Sequence, residues 1–306
     1  MSAFLILFPC QPGSPSKVDP ALAEEYEAAR VIGFSTFLYD HLALTAGEAS
    51  EAFQDLQSAG APSRTIFRSW MVPGEIYELA YEELISRGYV PEVTPEGYDE
   101  AHYLPLAYRH LVGDAPRSQW IEGEDVEEAW ELYQSFQGGD AIIKDWVKSA
   151  KRRWREGCFI PAGTTKARFR EIFSVFRTER GARFNRGVVL REFLPIVERG
   201  SEIHGLPVIE ETRLFFWQNQ ILVPPSERSP SPLDEQWRWE EIARRFRSLF
   251  LTIDVAFLTD GTWKVVEVGD GGVSGLPMGL DPERFFAALW NRVGSEAGHG
   301  SRRGAG

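Results

Sequence analysis

The segment "TIDVAFLTDGTWKVVEVGDG", residues 252–271, contains two apolar, strand-like runs with an acid inside each of them. Asp254 lies in the first run and Glu267 in the second, and the Asp-Gly pair at 260–261 between them is typical of a two-residue type I′ turn. Counting back from that turn pairs Asp254 with Glu267, with their Cβ atoms about 5 Å apart. The pattern therefore predicts two carboxylates that face each other on one side of a β-hairpin.

Opposed like charges destabilise a sheet, and the cost rises when they are partly buried. A cation between the acids would remove this cost. Oxygen ligands select magnesium or manganese, and magnesium usually keeps waters and bridges phosphates. A third acid, Asp270, follows at the start of a glycine-rich turn whose N–H groups could approach an anion closely. We predict that Asp254, Glu267 and Asp270 bind the metal; the alternative is that a neighbouring Arg or Lys neutralises one acid.

The elements before this hairpin fall into two patterns, and the first half of the chain alternates strands with helices. Asp19 is a suitable N-cap for the first helix, and Gly33 and Gly88 lie just past the ends of the two helices. This alternation predicts an open α/β layer. The predicted strands are "FLILFP", "STFLYD" and "RTIFRSW", and the predicted helices are "DPALAEEYEAARVIG" and "PGEIYELAYEELISRG".

From about residue 140 the pattern is α+β with antiparallel strands. Lys144 lies in an apolar strand, where an unpaired ammonium group would be costly. Alternation places Arg191 and Glu192 on opposite faces of another strand, so that one of them faces a ligand cleft, and it places Glu211 and Arg213 on a shared face, where a simple ion pair is the alternative to a functional role. Residues 295–306 lack apolar side chains and are predicted to form a disordered tail.

Composition limits the classes of protein to which the chain can belong. Its 306 residues allow one large or two medium domains, and a net charge of −12 disfavours a general nucleic-acid surface. No apolar run approaches the roughly 20 residues that span a bilayer, and "MSAFLILFPC" is read as a buried strand. The two cysteines are far apart and have no metal-site spacing, so we expect a cytoplasmic protein without membrane partners.

The hairpin and three upstream segments together resemble the ATP-grasp enzymes. The hairpin is similar to the closing metal-binding hairpin of that superfamily, and the resemblance covers about residues 138–294. The upstream segments are "AIIKDWVKS", similar to the strand whose lysine contacts phosphates, "VVLREFLP", similar to the hinge strand lining the adenine, and "ETRLFFWQNQIL", similar to the strand whose arginine faces the phosphates or the acyl intermediate. Residues 67–108 are similar to the N-terminal region of a bacterial and phage ATP-grasp clade without an assigned substrate.

The resemblance implies an α/β and α+β fold: a small open-sheet, pre-ATP-grasp domain over residues 1–137, and a two-lobed ATP-grasp domain over residues 138–294 that holds ATP between its lobes. It implies a carboxylate–amine ligase that uses ATP and Mg²⁺, with Mn²⁺ also suitable, and that works through an acyl phosphate. The partners would be a small-molecule or peptide carboxylate and an amine acceptor. The predicted catalytic residues are Lys144 and Arg213, and the predicted nucleotide contacts are Lys144, Lys148, Arg191, Glu192, Phe193 and Arg213.

Two departures and two alternatives accompany this prediction. The usual Glu-x-Asn of the hairpin reads Glu267-Val268-Gly269, and a basic run at 148–155 replaces the glycine-rich flap, either as a lid over the triphosphate or as a solvated loop. The alternatives are an ATP-dependent phosphotransferase on the same fold and a nucleotide-binding module without catalysis. We further expect His102, Tyr103 and Tyr108 to belong to the acceptor site.

Overall fold

The computed structural model describes residues 4–136, 139–200, 209–225 and 230–300, with the last six of these described only as backbone. These residues form two compact units. The first unit comprises Met1–Ala101, Arg213–Ile253 and Gly269–Gly306, and the second comprises His102–Thr212 and Asp254–Val268. Their bounds differ from the predicted division at residue 137 because the chain passes from one unit to the other inside individual strands. The division into domains at residue 137 stays a prediction.

The elements follow one another along the whole chain. The strands are β1 (Phe4–Gln11), β2 (Ser14–Val18), β3 (Ser35–Tyr39), β4 (Ser63–Phe67), β5 (Tyr89–Pro91), β6 (Ser118–Glu122), β7 (Ala141–Asp145), β8 (Phe159–Ile160), β9 (Gly187–Glu192), β10 (Glu211–Trp217), β11 (Gln220–Ile221), β12 (Phe250–Phe257) and β13 (Trp263–Asp270). The helices are α1 (Ala23–Ile32), α2 (His41–Thr45), α3 (Ala49–Ala52), α4 (Gly74–Ser86), α5 (Pro95–His102), α6 (Leu104–Tyr108), α7 (Val126–Gln134), α8 (Trp154–Gly157), α9 (Lys166–Arg180), α10 (Gln236–Ala243) and α11 (Pro282–Gly300).

The first unit contains the open sheet that the alternating pattern predicts. Strand β1 pairs in parallel with both β3 and β4, and β4 pairs in parallel with β5. Strand β2 extends the sheet by an antiparallel pairing with the end of β1. The continuous burial of β1 agrees with its apolar sequence, because parallel strands are covered by helices on both faces.

The helix boundaries of this unit follow the predicted caps. The side chain of Asp19 accepts a hydrogen bond from the N–H of Ala21 at the start of a 3₁₀ turn that leads into α1. The helix ends at Gly33, which has a φ of 110°, a left-handed conformation that glycine adopts without steric cost. Helix α11 packs on the same layer, and the rings of Phe34 and Trp290 lie 4.9 Å apart.

Helix α11 extends to Gly300 and includes residues 295–300, for which the sequence predicts disorder. That expectation rests on the lack of apolar residues, but Glu296 and Ala297 are good helix formers and continue a helix already anchored by its buried N-terminal half. Residues 301–306 of the predicted tail lie outside the described residues.

A buried ion pair joins three parts of the first unit. The Nε atom of Arg68, just after β4, lies 2.7 Å from Oε2 of Glu25 in α1, and its Nη2 lies 2.8 Å from Oε1 of the same carboxylate. Its Nη1 donates to the carbonyl oxygens of Gly271 and Ser274 in the loop after β13. Only 1% of Arg68 is exposed, so this arginine fixes α1 and the glycine-rich loop to the sheet.

We predict that Glu25→Gln lowers the free energy of unfolding by about 3 kcal/mol, because the guanidinium of Arg68 would remain buried without its counter-charge. Equilibrium denaturation in urea measures the change. Glu24→Gln is the matched control, since the neighbouring carboxylate is exposed and its loss should change stability by less than about 0.5 kcal/mol. Equal effects of the two substitutions would contradict the structural role of the pair.

The second unit is built on an antiparallel sheet in the order β6-β9-β7-β8. Strand β9 lies between β6 and β7, with Lys144 opposite Val189 and Ile143 opposite Leu190. Helices α7 and α9 pack on one side of the sheet, where Phe169 and Phe176 of α9 are fully buried. Strand β6 and helix α7 were not recognised in the sequence.

A further sheet has the order β11-β10-β12-β13, and the turn between β12 and β13 differs from the prediction. The N–H of Gly261 donates to the carbonyl of Leu258 at 3.0 Å, and the N–H of Leu258 donates to the carbonyl of Thr262 at 2.8 Å. The connection therefore has three residues, with Gly261 in the left-handed region at a φ of 85°. The predicted two-residue turn is wrong, because an Asp-Gly pair fits both the two-residue turn and a three-residue turn with glycine last.

The two cysteines are buried free thiols, with Cys10 in the first unit and Cys158 in the second. Burial raises the pKa of both thiols, that of Cys158 to about 11. Among the described residues, no helix has the combination of length and apolar composition that a membrane crossing requires.

Candidate functional site

Lys144 lies near the end of β7 in the second unit, and 9% of it is exposed. Burial lowers the pKa of this lysine to about 8; the positive charges of Arg191 and Lys148 act in the same direction, and Glu267 acts against them. The strand thus holds an amine that loses its charge more readily than an ordinary lysine. This is the cost that the sequence predicts for a lysine in an apolar strand.

The buried carboxylate of Asp145 organises the turn that follows Lys144. Its Oδ1 accepts hydrogen bonds from the N–H groups of Val147 at 2.8 Å and Lys148 at 2.6 Å. Its Oδ2 accepts from Nε of Arg180 at 2.7 Å and from the N–H of Asn185 at 3.3 Å. Asp145 therefore holds the backbone of Lys148 in place beside β7.

Three acids of the second unit lie close to one another. Burial raises the pKa of Glu211 to about 7, and the negative charges of Asp254 and Glu267 and a hydrogen bond to Asp254 raise it further, against the positive charge of Lys151. Only 3% of Asp254 is exposed. The structure thus brings both acids of the predicted hairpin site into one group with Glu211.

Positive charge surrounds this group of acids. The Nζ atom of Lys148 lies 3.3 Å from Oε1 of Glu267. Arg191 is buried, and its guanidinium donates to the carbonyl oxygens of Val266 and, at 3.4 Å, Val265. Burial lowers the pKa of Arg191 to about 10, and Glu267 acts in the opposite direction.

The two residues after Arg191 behave differently from it. Glu192 is exposed, as strand alternation predicts, and its N–H donates to the carbonyl of Arg117 at 2.8 Å. The N–H of Phe193 donates to the carbonyl of Asp140 at 3.1 Å, and its ring lies 5.1 Å from that of Phe159. Because both N–H groups are already used, an adenine contact at this hinge would have to be made by the carbonyl groups or side chains.

Two predicted site residues belong to the first unit. Asp270 is buried, its Oδ1 accepts from the N–H of Gly272 at 2.8 Å, and its Oδ2 has no hydrogen-bond partner in the part of the chain that the structure describes. Burial raises the pKa of Asp270 to about 7. Arg213 donates through Nη1 to the carbonyl of Gly275 at 3.1 Å. Both side chains therefore face the glycine-rich loop after β13.

Across the described residues, no three or more His, Cys, Asp and Glu side chains are grouped as a ready-made metal site. Magnesium rarely needs one, because it keeps several waters and is held by one or two carboxylates together with substrate phosphates. Asp254 and Glu267 fit that requirement in donor chemistry, since a cation beside them would relieve the repulsion that raises the pKa of Glu211. The metal roles of Asp254, Glu267 and Asp270 stay predictions.

The basic run at 148–155 forms a 3₁₀ turn, Lys151–Arg153, followed by α8. The charge of Lys151 acts on Glu211, which places this exposed lysine near the three acids. His102 is nearly buried, and its pKa is lowered to about 4 by burial and by the positive charges of Lys148, Arg186 and Lys144. Sequence reasoning overlooked Lys151, Arg186 and the role of Asp145, because none of them stands in a recognisable pattern.

A sequence comparison identifies the family. A family of ATP-grasp domains, described as family 3 of its clade, matches residues 135–289, slightly more than half of the chain. The chain belongs to this family. The predicted membership of the ATP-grasp superfamily is thereby confirmed, and the protein is an ATP-grasp enzyme. A search of curated protein sequences gives no match.

Solved structures share the fold of this ATP-grasp enzyme over nearly its whole length. The ligase PsnB in complex with a minimal precursor is 12% identical, with a TM-score of 0.58 over 97% of this chain and 100% of that one. An ATP-grasp RimK-domain protein from Sphaerobacter thermophilus is 16% identical, with a TM-score of 0.57 over 94% and 99%. The macrocyclase MdnC from Microcystis aeruginosa, bound to its precursor peptide MdnA, is 14% identical, with a TM-score of 0.54 over 95% and 100%. The predicted fold class is confirmed.

We predict that Glu211→Gln raises the free energy of unfolding at pH 8 when divalent cations are absent. The folded chain keeps a proton on Glu211 up to about pH 7, whereas the unfolded chain releases it near pH 4.3, so wild-type stability falls as pH rises between these values. Glutamine does not titrate, so its advantage should vanish at pH 4. Urea denaturation in EDTA measures both conditions.

Glu192→Gln is the control for this prediction, because Glu192 is an exposed carboxylate of the same unit. It should leave the pH dependence of stability unchanged. A Glu211→Gln variant with the same advantage at pH 4 and pH 8 would show that the acids do not repel one another.

Proposed function

We propose that this ATP-grasp enzyme is an ATP-dependent ligase that joins a carboxylate to an amine through an acyl-phosphate intermediate. The observation that carries the proposal is the grouping, within one unit, of Lys144 and Lys148 with the acids Glu211, Asp254 and Glu267. Lysines favour bound phosphates, and the acids favour a cation between those phosphates and the protein. The described site residues need no nucleophilic side chain for this chemistry.

The chemical difficulty of the first step is electrostatic. Transfer of a phosphoryl group to a carboxylate brings two anions together, and positive charge placed at the transferred group lowers that barrier. Lys144 and Lys148 supply such charge. Lys148 would exchange its ion pair with Glu267, 3.3 Å long, for a phosphate oxygen.

Asp254 and Glu267 would hold Mg²⁺, with Asp270 as a third candidate, and the ion would neutralise charge on the phosphates when bound. Manganese has the same ligand preference. PsnB has been solved with Mg and ADP, which supports this choice of cofactors. Arg213 would face the phosphates or the acyl phosphate, while Arg191, Glu192 and Phe193 would form the side of the site nearest the nucleotide base.

The substrates would be a peptide or small-molecule carboxylate and an amine. PsnB and MdnC are described with precursor peptides, and a further structure of this fold, a D-cycloserine synthetase, is named for a small-molecule product. The two free cysteines, both buried, fit a reducing cytoplasm. ATP turnover that needs no amine would instead favour a phosphotransferase.

We predict that Asp254→Asn and Glu267→Gln each reduce magnesium-dependent ATP turnover at least about a hundredfold, because each removes a charged ligand of the ion. A coupled assay of ADP release measures turnover, with a pool of carboxylates and amines supplied. Asp260→Asn is the control, since this acid lies at the exposed turn of the same hairpin. Retained turnover in both site variants would remove the metal-hairpin mechanism.

We predict that ATP binding near pH 9 takes up about one proton, because a bound phosphate restores the ammonium form of Lys144. The pKa of about 8 in the free protein means that affinity should fall as pH rises above 8, with little change below it. Calorimetry in buffers of different ionisation enthalpy measures the proton uptake. Lys144→Met should abolish it, and Lys166→Met, which removes an exposed lysine, should not.

A further inference from the structure

Arg186 has an unusual backbone conformation. Its φ is 57°, and the other described non-glycine residues with positive φ are Gln218 and Asn219. Those two form the tight connection between β10 and β11, where Trp217 pairs with Gln220, and such turns require positive φ. Arg186 precedes β9 outside any hairpin turn, in a conformation that a side chain with a Cβ disfavours.

Neighbouring groups hold this conformation in place. The carbonyl of Arg186 accepts a hydrogen bond from the N–H of Gly123 at 2.8 Å, and the N–H of Asn185 donates to Oδ2 of Asp145 at 3.3 Å. At Gly187, a Cβ would collide with the carbonyl oxygen of Ile121, so the chain passes too close to β6 to relax there. Disfavoured backbone that is held from several sides is common at ligand sites.

The side chain of Arg186 lies on a rigid aromatic surface. Its guanidinium carbon is 3.9 Å from the centre of the Tyr103 ring and 6.0 Å from that of Trp146. Both rings are buried, whereas Arg186 itself is partly exposed. The guanidinium is therefore positioned before any ligand arrives, and it remains accessible to one.

Three cations converge at this place. The carboxylate of Asp145 binds the N–H of Lys148 through one oxygen and the N–H of Asn185 through the other, which brings the turns of Lys148 and Arg186 together beside Lys144. The charges of Lys148, Arg186 and Lys144 all act on His102, which is neutral at physiological pH. Three positive charges around one neutral ring, with Glu267 as the negative group acting on it, favour an added anion.

We propose that Arg186 binds a phosphate group of the nucleotide, together with Lys144 and Lys148, an inference that rests on the proposed ATP-dependent function. A guanidinium can offer two parallel N–H groups to a phosphate while its face stays on an aromatic ring, so the contact with Tyr103 and the contact with the ligand are compatible. The strained backbone then serves to aim this edge at the phosphates.

A matched pair of substitutions tests the proposal. Arg186→Ala and Arg186→Gly both remove the guanidinium, but glycine also relieves the backbone strain. Both should raise the Kd for ATP about tenfold or more, while the Kd for adenosine changes less than about twofold. The glycine variant should melt no lower than the alanine variant. Arg183→Ala is the control, since it removes an exposed arginine three residues away and should bind ATP as the wild type does.

The possible outcomes separate this inference from the proposed function. Wild-type affinity for ATP in both Arg186 variants would overturn the role of Arg186 and leave the ligase proposal standing. A loss confined to the alanine variant would show an effect of backbone conformation and would also overturn the inference. If the wild type and Arg183→Ala both fail to bind ATP, the proposed function itself is wrong.

Discussion

The repulsion among the three acids Glu211, Asp254 and Glu267 is the interaction on which the organisation of the second unit depends. Without a counter-charge the acids can stay together only if one keeps its proton, and the raised pKa of Glu211 is the sign of that compromise. Lys144 shows the opposite shift, since burial and neighbouring cations draw its pKa down. Both shifts describe a site that is electrically incomplete by itself, and a metal bound to polyphosphate carries both missing charges.

The scaffold that tolerates this arrangement is a set of short, well-paired strands. Lys144 is fixed by the pairing of β7 with β9, and Asp145 beside it accepts four hydrogen bonds, three of them from the backbone of the turns next to both strands. Because Asp145 is fully buried, these contacts are sheltered from competition with water. A rigid backbone here keeps like charges near one another at a distance that side-chain motion alone would increase.

The sequence predicts the strands, most helices and the family, because apolar periodicity, caps and ordered motifs are local signals. It does not predict the length of the turn at Asp260 and Gly261, since one dipeptide fits two geometries that differ by a residue. It also cannot show that Glu211 joins the hairpin acids, or that Arg186 lies on Tyr103, because residues far apart in the chain meet there. The helical residues 295–300 were missed because helix propensity was given less weight than the lack of apolar side chains.

The placement of the two thiols has a practical consequence for studying motion in this enzyme. Cys10 lies in one unit and Cys158 in the other, both are buried, and burial disfavours the reactive thiolate of each. Alkylating reagents can therefore reach either sulfur only when the surrounding strands open. The rate at which each cysteine is modified, resolved by peptide mass, would act as a built-in clock for the local opening of its own unit, with no label added to the surface.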